Sequence, residues 1–286
     1  MNNPTKAQPR LLSRLGALSL LTTALIFGTS AAPAAAMTPQ GWFTSYSTAS
    51  YVALGDSFSS GQGAPPYLAG DCLQSKYTSY PVITAALTRY KLVANESCSG
   101  ADMAHVAQQL ADVPADVKSS AKLVTLTVGG IDIGSNVVLA ACGTDAGSAQ
   151  CAAAIGQAMW LLTSPDSPLT ANLTSTYEAI ASAMPNARVV VFTYPYLFKD
   201  EVSLLGDQVN GALALLNGII ESAAAGIARV QVVDVTQEFA NHGIGSRIPY
   251  ISFNPNDLYA TANFHPNALG NALGYFRAMV NDHALG

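Results

Sequence analysis

Basic residues are scarce in this sequence. It has 13 lysine and arginine residues against 18 aspartate and glutamate residues, and only 11% of its 286 residues are charged. Three of the basic residues and none of the acidic ones lie in residues 1–36, so residues 37–286 carry a net charge of 10 minus 18, or −8. This balance provides no basic surface for a nucleic-acid backbone, and nucleic acid is not expected as a partner.

The apolar run near the N-terminus is too short for a membrane-spanning helix. It covers Ala17–Gly28, which is 12 residues, whereas a spanning helix needs about 20. The run follows Lys6, Arg10 and Arg14 and precedes the small-residue segment AAPAAA, which ends at Ala36. That order predicts a secretory signal peptide over residues 1–36, and an uncleaved membrane anchor is the less favoured alternative.

The sequence has no repeat at a fixed period and too little charge for a disordered chain. Half of its residues are apolar, which excludes a disordered tail or a solenoid as the main architecture. Residues 37–286 are sufficient for one large α/β domain with a continuous core, expected to be a monomer.

Neither CxxC nor HExxH occurs, so no structural zinc or other metal is expected, nor is a cofactor. The sequence contains four cysteines, and an even number after an export signal favours two disulfide bonds. Three pairings are possible. We favour Cys72 with Cys98 and Cys142 with Cys151, because a simple α/β order brings each of these pairs of segments close together.

Apolar, β-rich runs recur along the chain and predict five strands, at residues 51–54, 91–95, 122–128, 187–194 and 229–235. Between and after them lie helical stretches at 81–90, 102–110, 150–162, 170–184, 207–227 and 266–281, the last with Pro266 in its first turn. This alternation predicts a parallel sheet covered by helices on both faces. The ligand site of such a sheet lies beyond the carboxyl ends of its strands.

The segments that follow the strands carry the components of acyl-transfer chemistry. They read GDSFSSG at 55–61, ESCSGAD at 96–102, GGIDIGSN at 129–136, TYPY at 193–196, and TANFHPNALG at 261–270 after the last strand. Together they supply a serine, glycine amides and a histidine, and acyl transfer requires these groups close together.

The order of these segments resembles the SGNH (GDSL) hydrolases, particularly secreted actinobacterial esterases and phospholipases. The matching blocks are GDSFSSG at 55–61, SCSG ending at Gly100, VGGID at 128–132 and FHPN at 264–267. The resemblance implies a flavodoxin-like three-layer α/β/α sandwich with a central parallel sheet of about five strands. It also implies that residues 37–286 form one hydrolase domain.

The resemblance implies that Ser57 is the nucleophile and His265 the general base. The other histidines, His105, His242 and His283, lie in no matching block. Many family members orient the base with an aspartate three residues before it, but Ala262 occupies that position here. The resemblance therefore favours a serine–histidine dyad in which the main-chain carbonyl of Ala262 or Asn263 orients the imidazole; Asp257 is a weaker alternative.

The oxyanion hole implied by the resemblance uses the amides of Ser57 and Gly100 and an asparagine side chain. Ile131 occupies the position of that asparagine and cannot donate a hydrogen bond. The loss of one such donor lowers turnover by about 10²- to 10³-fold. Asn136 and Asn263 are the alternative donors.

The expected function is that of a secreted, extracellular serine esterase or lipase that acts on carboxylic esters, with lipids among the candidate substrates. Two alternatives stay open. One is a carbohydrate O-acetyl esterase, and the other is a binding or cell-envelope protein that has kept the fold and lost activity, for which Ile131 is the best support. The acyl chain length depends on the loops at 61–80 and 136–170.

Overall fold

The computed structural model describes residues 48–286, and the predicted signal peptide lies outside them. Five parallel strands form one sheet: β1 (Ala49–Ala53), β2 (Tyr90–Asn95), β3 (Ala121–Leu126), β4 (Arg188–Phe192) and β5 (Val230–Val233). Their spatial order is β2-β1-β3-β4-β5, so the order reverses between β1 and β3. In open parallel sheets this reversal opens a crevice at the carboxyl ends of the strands.

The central strands are rich in apolar residues because both of their faces are largely buried. Val52 and Ala53 of β1 and Val189, Val190 and Val191 of β4 have no solvent exposure. Alternation of polar and apolar residues would expose one face of such a sheet to water. The predicted strands are therefore confirmed to within a few residues at each end.

The helices form two groups that flank the sheet. Their bounds are α1 (Ser57–Ser60), α2 (Tyr80–Leu87), α3 (Met103–Asp112), α4 (Ala115–Ser120), α5 (Ser135–Thr144), α6 (Ala149–Thr163), α7 (Leu169–Ala183), α8 (Leu204–Ala224), α9 (Thr236–Phe239), a π-helix at Gly270–Phe276, and α10 (Arg277–Asn281). In one group α7 packs on both α3 and α8; in the other α2 and α9 pack on the π-helix. The predicted α/β/α architecture is confirmed. None of the helices within residues 48–286 is both long and apolar enough to cross a membrane.

The C-terminal helix differs from its prediction in two ways. Pro266 lies before the helix, where it forms an antiparallel bridge with Ile251, and the Asn267 side chain accepts hydrogen bonds from the first amides of the helix instead. The placement of Pro266 in the first turn was therefore wrong. The second difference is that Gly270–Phe276 form a π-helix, with wider turns than an α-helix. These turns pack tightly on Phe239, since a methyl group added at Gly274 would lie 2.1 Å from that ring.

The two disulfide bonds pair the cysteines that the sequence favours. Cys72 is bonded to Cys98, and Cys142 on α5 is bonded to Cys151 on α6. Within residues 48–286 no cysteine is free. The first bond attaches the loop that contains Gly100 to the segment after α1, and the second joins the neighbouring helices α5 and α6.

Candidate active site

A sharp turn after β1 places Ser57 at the carboxyl edge of the sheet. Gly55 has φ +111°, and a side chain there would lie 2.4 Å from the Thr127 carbonyl, so only glycine fits. Asp56 then caps the short helix α1 by accepting a hydrogen bond from the Phe58 amide at 2.9 Å. Ser57 is the first residue of this helix and is buried. The glycine and the aspartate of GDSFSSG thus make the turn that positions the serine.

His265, on the loop that precedes the C-terminal helix, contacts Ser57 directly. The distance from His265 Nε2 to Ser57 Oγ is 2.8 Å, and the distance from His265 Nδ1 to the Asn263 carbonyl oxygen is 2.6 Å. A carbonyl oxygen can only accept, so Nδ1 carries the proton and Nε2 is free to accept from the serine hydroxyl. This tautomer is the one that a general base requires.

The carbonyl that orients His265 belongs to Asn263 and not to Ala262. Phe264, between Asn263 and His265, has φ +62°, and this left-handed residue turns the carbonyl towards the imidazole. Asp257 does not take part, because its carboxylate accepts from the Tyr259 amide within its own turn. Of the alternatives that the sequence left open, the structure brings only the Asn263 carbonyl to the histidine.

The surroundings of His265 keep its imidazole neutral. The ring is half-buried, with its centroid 5.1 Å from the Phe58 ring. Burial lowers the pKa of His265 to about 4, although the hydrogen bond to Asn263 acts in the opposite direction. Desolvation disfavours the charged form of a histidine, so His265 is ready to accept a proton at neutral pH.

The other three histidines have partners elsewhere. His105 lies at the exposed start of α3, where its Nδ1 is 2.7 Å from Asp102. The His242 ring stacks on Tyr250 with a centroid distance of 3.8 Å. His283 lies near the C-terminus, and its carbonyl accepts a hydrogen bond from Arg188. None of these contacts involves Ser57.

The Gly100 amide lies on a loop that is attached to the turn before Ser57. The Cys98 amide donates to the Gly55 carbonyl at 3.0 Å, and Gly100 itself has φ +78° with open space beside it. Within residues 48–286 no hydrogen bond occupies the amide of Ser57 or that of Gly100. Both amides are therefore free to donate to an oxyanion.

Ile131 lies in the turn after β3, half-buried and outside the apolar core. The structure gives little support to the alternative donors. Asn263 is buried, and its side chain is hydrogen-bonded within its own loop to the Asn254 amide and the Asp257 carbonyl. Asn136 is exposed, and its side-chain oxygen accepts from the neighbouring Val137 amide.

A buried hydrogen-bond chain connects the serine turn with the turn that contains Ile131. Asp56 accepts from the Thr127 hydroxyl at 2.5 Å and from the Tyr194 hydroxyl, and Tyr194 in turn accepts from the Gly130 amide at 3.0 Å. Burial raises the pKa of Asp56 to about 6, against the opposing effect of these hydrogen bonds. Tyr194, in the segment TYPY, was not identified, because its role depends on contacts between distant strand ends.

Comparison with known proteins agrees with this geometry. The model of the GDSL-like lipase/acylhydrolase family matches residues 53–273, which are more than half of the chain and contain both Ser57 and His265. The chain belongs to this family.

Among the relatives of this GDSL-like hydrolase is a lipase from Streptomyces rimosus, 35% identical over 272 residues, covering 90% of this chain and 92% of the relative. Lipase 1 from Streptomyces coelicolor is 32% identical over 233 residues, covering 79% and 83% of the two chains. The crystal structure of phospholipase A1 from Streptomyces albidoflavus superimposes with a TM-score of 0.71 at 31% identity, over 82% of this chain and 99% of the other. Membership of the GDSL-like family makes this chain a carboxylic ester hydrolase.

Proposed function

We propose that this GDSL-like hydrolase is a secreted serine esterase that cleaves acyl lipids and other carboxylic esters through a Ser57–His265 dyad. The observation that carries the proposal is the hydrogen-bonded series from Ser57 Oγ to His265 Nε2 and from His265 Nδ1 to the Asn263 carbonyl. Support for lipid substrates comes from the relatives, which are named as lipases and a phospholipase A1. Support for secretion comes from the predicted signal peptide and the two disulfide bonds.

In the proposed mechanism, His265 Nε2 takes the hydroxyl proton as Ser57 Oγ attacks the ester carbonyl. The negative charge that develops on the carbonyl oxygen is stabilised by the amides of Ser57 and Gly100. The carbon–oxygen ester bond then breaks, and His265 returns the proton to the departing alcohol, which leaves an acyl group on Ser57. Water, activated by the same histidine, hydrolyses this acyl-enzyme and regenerates the serine.

Labelling with a fluorophosphonate tests this proposal directly. We expect one adduct per chain, located on Ser57 by peptide mass spectrometry, because the phosphonyl group reacts with an activated serine. Heat-denatured protein is the control and should not be labelled. Native protein that hydrolyses no ester and takes up no label would contradict the esterase assignment and favour a binding protein with the same fold.

A panel of p-nitrophenyl esters from acetate to palmitate, with acetylated xylan as a parallel substrate, defines the substrate class. We expect turnover of longer acyl chains to exceed that of acetate. Efficient release of acetate from the polysaccharide, with little activity on longer chains, would instead favour the carbohydrate O-acetyl esterase.

The pH dependence of kcat/KM should report the neutral state of His265. The base works only when neutral, so activity should persist to about pH 5 and fall as the pH drops through about 4, the pKa that burial gives this histidine. An ordinary histidine would lose activity near pH 6.5. Circular dichroism at each pH controls for unfolding.

A further inflection near pH 6 would report the titration of Asp56, and Asp56→Asn should remove it. If kcat/KM of Asp56→Asn still falls near pH 6.5, the prediction for His265 is wrong.

A further inference from the structure

Gln62, in the middle of the segment GQG, bonds two separate loops of the site at once. Its Nε2 donates to the Thr261 carbonyl at 2.7 Å, and its Oε1 accepts from the Ser99 hydroxyl at 2.5 Å. Its backbone amide donates to the Ser57 carbonyl at 3.1 Å. Among residues 48–286, no other side chain is hydrogen-bonded to both of these loops.

Each loop carries one part of the proposed machinery. Ser99 directly precedes Gly100, whose amide is the second oxyanion donor. Thr261 lies two residues before Asn263 and four before His265, on the loop that supplies both the base and the carbonyl that orients it. The Gln62 side chain thus connects the oxyanion donor with the base, while its backbone is anchored to the nucleophile.

The backbone on either side of Gln62 is tightly held, so the position of its side chain is fixed. Gly61 has φ +82°, and a side chain there would lie 2.6 Å from Ser79. A side chain at Gly63 would lie 2.5 Å from the His265 carbonyl oxygen, so this glycine allows the segment to lie directly against the histidine loop. The Tyr67 hydroxyl also donates to the Gln62 carbonyl.

We propose that Gln62 is a positioning residue that sets the distance between the Gly100 amide and His265. The proposal rests on the dyad mechanism above. The oxyanion donor and the base must both lie at the correct distance from the reacting atoms in the transition state. A shift of about 1 Å in such groups lowers turnover by up to about 10²-fold. Gln62 connects the two groups through one rigid amide, and no disulfide bond or ion pair among residues 48–286 joins these loops.

Gln62→Met tests the proposal, because methionine keeps the length of the side chain and removes both hydrogen bonds. We expect kcat on a short, soluble p-nitrophenyl ester to fall about 10-fold with KM changed less than about 2-fold. The rate of fluorophosphonate labelling at Ser57 should fall by a similar factor. Ser99→Ala removes one of the two bonds and should give a smaller loss of kcat, and the double variant should lose no more than Gln62→Met alone.

Gln74→Met is the matched control. Gln74 is also half-buried and also makes two hydrogen bonds through its amide, both at 2.8 Å, but they reach the Asn95 and Ser97 carbonyls on a single segment. A merely structural role for Gln62 predicts equal losses of kcat and melting temperature in Gln62→Met and Gln74→Met. The positioning role predicts a loss of kcat in Gln62→Met that its melting temperature does not explain.

The outcomes separate this inference from the proposed function. If the wild-type protein is labelled at Ser57 and hydrolyses esters, but Gln62→Met has an unchanged kcat or only the loss seen in Gln74→Met, the positioning role is wrong and the dyad stands. If the wild-type protein is neither labelled nor active, the proposed dyad mechanism itself is wrong.

If Gln62→Met does not fold, Gln62→Glu replaces it, since a carboxylate still accepts from Ser99 but cannot donate to the Thr261 carbonyl. Like Ser99→Ala, this variant lacks one of the two hydrogen bonds, so its kcat should fall by a comparable factor, and wild-type kcat in Gln62→Glu would also refute the proposal.

Discussion

Ser57→Ala is expected to abolish ester hydrolysis and leave the fold unchanged. The serine oxygen forms the acyl-enzyme bond in the proposed mechanism, and its side-chain contact is with His265 at 2.8 Å. Loss of a nucleophile of this kind lowers turnover by about 10⁴-fold or more. The side chain is small and buried, so alanine fits in its place with little change in melting temperature. Steady-state kinetics on a p-nitrophenyl ester, with thermal unfolding of the same samples, measures both effects.

His265→Ala and the double variant are the controls for this result. Residues that act as one catalytic unit do not contribute independently, so Ser57→Ala with His265→Ala should be hardly less active than either single variant. If the loss of kcat in the double variant were the product of the two single losses, His265 would act independently of Ser57. Turnover in Ser57→Ala comparable to the wild type would refute the assignment of the nucleophile.

Ile131→Asn is expected to raise kcat by about 10- to 100-fold with KM little changed. The asparagine side chain would supply the hydrogen-bond donor that isoleucine lacks in the oxyanion hole. A donor at this position acts mainly on the tetrahedral intermediate, where charge develops on the former carbonyl oxygen. Asn263 is occupied within its own loop, and among residues 48–286 no hydrogen bond joins the exposed Asn136 to the Ser57 or Gly100 loops. A gain in kcat of less than about 2-fold would mean that another donor already fills this role. Tyr194 holds the adjacent Gly130 amide at 3.0 Å, which should keep the turn in place when the side chain changes.

Ile131→Asp is the matched control, because aspartate has the size of asparagine but no donor when ionised. It should show no gain in kcat. The melting temperature of both variants is measured as well, because Ile131 is half-buried and a polar side chain there costs stability if it is left without a partner. Unchanged kcat together with a lower melting temperature in Ile131→Asn would reject the interpretation that the oxyanion hole lacks a donor at position 131. Ile131 would then be a packing residue.

The sheet was predictable from the sequence because its central strands β1, β3 and β4 are mostly buried on both faces and are therefore rich in apolar residues. The short helices α1, α4 and α9 were not predicted, since a helix of four to six residues has almost no periodicity and depends on local contacts such as the cap that Asp56 provides for α1. The longer helix α5 (Ser135–Thr144) was also absent from the predicted helices. The π-helix depends on close packing of Gly270 and Gly274 against neighbouring residues, which no local pattern reveals.

Ser57 and His265 could be named as candidates because each lies in a recognisable block after a strand. The choice between the carbonyls of Ala262 and Asn263 could not be made, since it depends on a positive φ at Phe264, a residue type that rarely adopts one. Tyr194 and Gln62 were missed for a different reason. Both act through hydrogen bonds to segments more than 30 residues away in the chain.

The use of a main-chain carbonyl to orient His265 changes how mutation can damage the site. In a triad with an aspartate, one codon change deletes the orienting group. Here every amino acid that replaces Asn263 brings the same carbonyl oxygen with it, so a substitution can displace this group only by moving the backbone of the loop. The vulnerable feature is the backbone path through Phe264 at φ +62°. A β-branched residue or proline at position 264 would disfavour that conformation, and loss of the Asn263 side chain would remove the hydrogen bonds to Asn254 and Asp257 within the loop. Natural variation should therefore be restricted by what keeps this loop in place, and not by the need for a carboxylate beside the histidine.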